Sequence, residues 1–376
     1  MGAGVIDRRE FVRWAAGLAL GACAGTAAPG AAGQRDARGR DVAWLDDVLQ
    51  PPVPGTPSPT LAPVLTGEDG RPIGTLAGWR RRRAVLERAW RDTLGSLEVE
   101  RGDPPALEVI EEDTVGDVLR QRVRYHVEPD VTTEAYVLKP MGQQGRGPGA
   151  LVLHSTTPES IRQPAGLADV PEKHFGLALA RRGFVAFCPR NYLWADTTRM
   201  ALQEETRRFE QRHPRATGMA KMLFDAQVAL DVLAARSDVD RMRLGCIGHS
   251  LGAKEVLYLA AFDERIRAGV SSEGGIGTAM SNWDAPWYLG ESVRQPGFAR
   301  EHHELLALAA PRPFLLVGGG AADGAASWPW IEAALPVYRL YGAPARLGLL
   351  RHQAGHTVPA GVAARMIEWL ETYTGH

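Results

Sequence analysis

The chain has 376 residues with 43 basic and 44 acidic side chains, a formal net charge of -1. That length suits one large α/β domain with decorations, and the balanced charge removes the electrostatic case for nucleic acid or an acidic membrane as partner. A small or neutral ligand is expected instead.

Residues 1–33 read as an export signal. Arg8-Arg9 precede an apolar stretch over 15–28 that is rich in small residues and interrupted by glycine, too short for a stable membrane span but suited to a removable leader. The arginine pair is the address of twin-arginine export, so a periplasmic or extracellular protein is expected. Leu20-Gly21-Ala22-Cys23 resembles a lipoprotein box, whereas 28–32 offers small residues to an ordinary signal peptidase. A lipid anchor at Cys23 is the one membrane attachment this reading allows.

Residues 34–115 form an N-terminal strap and helix. Pro51-Pro52-Val53-Pro54 and Pro57-Ser58-Pro59 block regular structure. The segment 79–94 then recurs in Trp79, Leu86, Trp90 and Leu94 at helical spacing, with Gly95 as its stop. The run Arg80 to Arg83 reads as the solvated face of that helix.

Residues 116–376 alternate strand and helix. A hairpin is expected over 119–127 and 132–138, then a buried strand at 149–153, a helix at 175–182, a strand at 183–188 and a helix at 219–235. Strands at 243–247, 268–271, 314–317 and 346–350 follow, with helices at 251–262, 330–341 and 361–373. This spacing implies a doubly wound, mostly parallel sheet of the α/β-hydrolase kind, with ligands at the carboxyl ends of the strands. Two inserts interrupt it, 156–173 and 274–308. The second is rich in aromatics and precedes the penultimate strand region; its Trp283, Trp287 and Tyr288 either stack on a substrate or pack the loop onto the domain. Cys188 and Cys246 fall in expected core strands and read as small hydrophobes.

Gly248-His249-Ser250-Leu251-Gly252, between an apolar strand and a helix, has the pattern of a nucleophile elbow, which makes Ser250 the candidate nucleophile. His356, in a Gly-containing loop six residues past the last expected strand, is the candidate base, ahead of His352, His302 and His303. His352 and His356 are four apart like a zinc pair, yet no third ligand stands out, and neither metal nor cofactor is expected. Two acids compete. Asp323 follows the strand from which this fold usually supplies the acid, and Glu273 follows the preceding strand; the reading leans to Asp323. The oxyanion hole should join the N–H of Leu251 to one from Ser155 or Thr156, with His154 beside them as packing.

Taken together, 248–254, Ala261-Phe262-Asp263-Glu264-Arg265, 271–275, 303–308 and Ala310-Pro311-Arg312-Pro313 resemble exported bacterial α/β-hydrolases grouped with dienelactone hydrolases, acetyl xylan esterases and glucuronoyl esterases. The resemblance to glucuronoyl esterases implies Glu273 as acid and Lys254 near the substrate, but Leu251 stands where those enzymes have arginine. The resemblance to dienelactone hydrolases implies an acid at Asp323, but those enzymes use cysteine where Ser250 stands. The expectation is an exported serine esterase acting through an acyl-enzyme on a small or carbohydrate-linked ester, with Lys254, Trp283 and Trp287 toward the substrate. An exported peptidase of the same fold and a non-catalytic binding protein on a hydrolase scaffold are the alternatives.

Overall fold

The computed structural model describes residues 41–52, 59–342 and 344–374. The leader over 1–33 and Cys23 lie outside them. One nine-stranded sheet organises these residues: β1 (Glu108–Val115), β2 (Val118–Glu128), β3 (Val131–Pro140), β4 (Gly147–Leu153), β5 (Val185–Pro189), β6 (Val239–His249), β7 (Ile266–Ser272), β8 (Phe314–Gly318) and β9 (Leu347–Arg351), in the order β1-β2-β3-β5-β4-β6-β7-β8-β9. The first three strands pair antiparallel and β3 meets β5 antiparallel; from β5 to β9 every pairing is parallel.

Parallel strands need crossovers, and the helices cover both faces. On one face lie α1 (Leu45–Val48), α3 (Phe175–Ala180) and α9 (Ala360–Thr374), whose Val48, Leu179 and Trp369 share a core with Val152, Ile247 and Val270 of the sheet. On the other lie α2 (Leu76–Leu94), α5 (Gly218–Ala235), α6 (Leu251–Phe262), α7 (His303–Ala309) and α8 (Trp328–Leu340), around Leu151, Cys246 and Leu316. The chain leaves β4 to one side for β5 and returns on its other side with β6. The crevice above β4 and β6 is therefore the topological switch point, where such sheets bind ligands.

Besides the short helices α1 and α7, two longer elements escaped the sequence reading. Strand β1, Glu-Val-Ile-Glu-Glu-Asp-Thr-Val, is exposed along most of its length, so no alternation of apolar and polar residues marks it; it is held by charge pairs such as Asp113 with Arg120 and Glu111 with Arg122. Helix α4 (Leu202–Arg212) buries only Thr206 and Phe209 and carries too few apolar residues to reveal its period. Helix α2 forms as expected: Thr75 Oγ1 accepts the N–H of Gly78 at 3.1 Å, and Trp79, Leu86, Trp90 and Leu94 are buried. Within the segment assigned by sequence to the N-terminal strap, α2 joins the hydrophobic core through its contact with α7, and β1 pairs with β2 of the sheet.

Candidate active site

Ser250 lies between β6 and α6 with φ 58° and ψ -114°. A serine tolerates that conformation only where the surrounding turn is over-determined, and the two flanking glycines explain how. A Cβ on Gly248 would come within 2.3 Å of the Gly252 backbone, and one on Gly252 within 2.1 Å of Leu153 O. The turn thus closes on itself and presses against the end of β4. Ser250 N–H donates to Ser272 O at 2.8 Å, which ties the turn to the end of β7.

The next strand end carries a carboxylate. Glu273 follows β7, also at positive φ (57°), and its side chain is fully buried. Its carboxylate accepts the N–H groups of Gly319 and of Ala322 (2.6 Å), which belong to the loop after β8. Burial alone would raise this carboxyl, but the hydrogen bonds from His356, Ala322 and Gly319 outweigh it and hold Glu273 below the usual carboxylate range. His356, on the loop between β9 and α9, bridges the two: Nε2 is 2.8 Å from Ser250 Oγ and Nδ1 is 3.4 Å from Glu273 Oε2. Its side chain is 39% exposed, and Ser250 is half-buried.

Asp323, the acid the sequence reading preferred, does not touch a histidine. Its carboxylate accepts Gly275 N–H (2.7 Å), Ile276 N–H (2.8 Å) and the Ser327 hydroxyl (2.9 Å). It is buried, and it fixes the loop that follows Glu273. Both loops converge on one place, and Glu273, not the preferred Asp323, occupies the side facing His356.

Of the expected oxyanion donors, Ser155 N–H already points at Gln163 Oε1 (3.4 Å). Among the described residues, no acceptor lies on the N–H of Leu251 or Thr156. These two flank the crevice, one at the start of α6 and the other after β4. Ser155 contributes its hydroxyl instead, 3.1 Å from Nδ1 of the buried His249. His249 also lies against His356, ring centroids 4.8 Å apart, and burial, with Lys173 adding to it, pushes its imidazole well below the usual histidine range. The sequence reading quoted His249 within the pentapeptide without seeing this contact, which only the fold creates.

Lys254 and Trp283, expected near the substrate, form an internal cage. The Lys254 ammonium donates to Gly274 O and to Ser281 Oγ (2.9 Å) and sits 4.0 Å above the Trp283 ring. Trp283 is 1% exposed and donates its Nε1–H to Gly275 O at 2.8 Å. Burial lowers Lys254 to about 7, only partly opposed by Asp323. The packing alternative therefore holds for Trp283 and Tyr288, while Trp287 is half-buried and packs against Tyr288. His302 is likewise internal, bonded to Tyr258 and to Ile276 O, and His303 to Ala62 O. His352 packs over Gly319.

A parallel sheet with a strained serine at its switch point defines an α/β-hydrolase. Residues 134–286, somewhat under half of the chain, match the model of the dienelactone hydrolase family. The chain is 26% identical over 255 residues to the YtaP protein of Bacillus subtilis (strain 168), covering 64% of this chain and 83% of that one. Its fold is similar to a glucuronoyl esterase from Solibacter usitatus (TM-score 0.68, 17% identity, 85% of this chain and 100% of that one). It is also similar to a glucuronoyl esterase from Teredinibacter turnerae (TM-score 0.64, 20% identity, 96% of each chain). These two likenesses concern the fold.

Proposed function

We propose that the chain is a serine esterase in which Ser250, His356 and Glu273 form a catalytic triad. The observation that carries this reading is the pair of contacts on one imidazole, Ser250 at Nε2 and Glu273 at Nδ1. Glu273 holds the tautomer with hydrogen on Nδ1, so Nε2 is free to take the serine proton. Ser250 Oγ attacks the ester carbonyl, its proton passes to His356 Nε2, and the oxyanion meets the N–H groups of Leu251 and Thr156. His356 then protonates the departing alcohol, and the acyl-enzyme is hydrolysed by water that gives its proton to the same nitrogen.

The substrate class follows from the crevice and from relatives of the same architecture. The aromatic insert keeps the half-buried Trp287, and the residue after Ser250 is the apolar Leu251. A neutral acyl group on a small or carbohydrate-linked ester fits these surroundings. A peptidase would use the same triad; comparing rates on esters and aminoacyl amides separates the two.

The test is covalent labelling. A fluorophosphonate probe should label the wild type and fail on Ser250→Ala, and nitrophenyl acetate, acetylated xylan and a methyl glucuronate ester should then rank the acyl groups. Absence of labelling on folded wild type would favour the binding-protein alternative.

A further inference from the structure

A planar trans peptide points its C=O and N–H in opposite directions, so holding one end aims the other. The Ser155–Thr156 peptide is held in this way. The ring of His154, at the end of β4, is buried, and its Nδ1 lies 2.8 Å from Ser155 O. Its Nε2 receives the backbone N–H of Asn191 at 3.1 Å. Since a peptide N–H can only donate, Nε2 carries the lone pair and Nδ1 the hydrogen, which it gives to Ser155 O. The carbonyl two residues further on is held as well: Trp194 Nε1–H donates to Thr157 O at 3.0 Å, and its ring stands edge-on to His154 with centroids 4.6 Å apart.

Asn191 and Trp194 both belong to the loop that leaves β5. That loop is itself anchored, because the Asn191 amide donates to Glu255 Oε1 and accepts Leu193 N–H, each at 3.0 Å. Burial lowers His154 to about 4, so its neutral tautomer persists across the neutral range.

We infer that His154, seated by Asn191 and braced by Trp194, is a positioning residue that aims the Thr156 N–H at the developing oxyanion. This inference rests on the serine-esterase reading above. His154 touches neither substrate nor the reacting atoms. Its effect is confined to the direction of one donor, so it is felt where the carbonyl oxygen gains charge and not in ground-state binding.

The experiment compares His154→Phe, which keeps ring volume and loses the hydrogen bonds to Ser155, Asn191 and Ser160, with His154→Gln, whose amide restores a donor, and with Trp194→Phe, which keeps a ring and loses only Nε1–H. Short-chain nitrophenyl esters, fluorophosphonate acylation rates and inhibition by an alkyl boronic acid are measured on variants whose thermal transitions remain cooperative. For His154→Phe we expect kcat and the acylation rate to fall roughly 30- to 100-fold with KM within about twofold, and the boronate to weaken in proportion. Trp194→Phe should lose roughly three- to tenfold, and His154→Gln should recover part of the loss. If His154→Phe does not fold, the other two variants decide. Unchanged kcat in folded variants, or losses confined to KM, would overturn the inference while leaving the labelled wild type as a serine esterase. A wild type that neither reacts with fluorophosphonate nor hydrolyses esters would overturn the esterase reading, and this inference with it.

Discussion

The backbone N–H of Asp323 points at Glu273 Oε2 (3.4 Å), while the side chain of Asp323 accepts the N–H groups of the two residues that come after Gly274. The two acids that compete in the sequence are thus neighbours with divided tasks, one facing His356 and the other bracing the loop behind it.

Their separation is testable with two isosteric variants. Glu273→Gln should lower kcat by roughly 10³ to 10⁴ with little change in KM, because the imidazolium loses its support and its tautomer. Asp323→Asn should cost mainly stability, about 1–3 kcal/mol for a buried N–H left without its acceptor, with a far smaller loss of kcat. Steady-state kinetics beside thermal melts distinguish these; a collapse of kcat confined to Asp323→Asn would reverse the assignment.

Glu255 gives a pH signature. It is buried in α6 against Asn191, and burial, with Asp225 adding to it, raises its carboxyl to about 8 from an ordinary 4.5, despite the opposing Asn191 hydrogen bond. A carboxyl whose folded pKa is raised binds its proton more tightly when folded, so the stability it contributes is complete below about 4.5 and is lost as pH rises through 8. Glu255→Gln removes this dependence. Its stability relative to wild type should therefore grow between pH 5 and 8, by on the order of 3 kcal/mol at neutrality, as read from denaturant midpoints across pH. Parallel stability curves would contradict the raised carboxyl.

Gly252→Ala tests the closure of the elbow. A methyl group there would meet Leu153 O at 2.1 Å, and backbone on both sides leaves no flexible side chain to yield. The variant should lose at least about 2 kcal/mol and nearly all activity, because α6 must part from the loop that carries Thr156. Differential scanning calorimetry with ester hydrolysis checks both, and a fully active variant would show that the approach is looser than described.

Export is a separate expectation, resting on Arg8-Arg9 ahead of the apolar stretch. Replacing both arginines with lysine should leave precursor in the cytoplasm, since the twin-arginine receptor reads the guanidinium pair. Cell fractionation decides this, and radioactive palmitate incorporation lost on Cys23→Ala would identify a lipid anchor. Unaltered export of the double-lysine form would remove the twin-arginine reading.

The sequence by itself determined most of the strands and helices from β2 onward, though not α4 or α7, together with the elbow at Ser250 and the candidacy of His356, because each is written in short-range terms: apolar periodicity, glycines beside a serine, a histidine in the last loop. It also held both acids and His154 in view. What it could not determine was which carboxylate reaches His356, since Glu273 and Asp323 leave adjacent parallel strands and differ only in the direction their loops turn. Tertiary structure decided that through positive φ at Glu273 and the N–H groups that the loop after β8 presents to it. The same holds for Lys254 and Trp283, whose types suit a substrate cleft as well as an internal cage; only the fold of the insert placed one over the other. The exposed strand β1 stayed hidden for the opposite reason, its charges being paired across the sheet with residues that sequence separates from it. Local pattern records what a segment can be, whereas contacts between distant segments choose among residues that are locally equivalent.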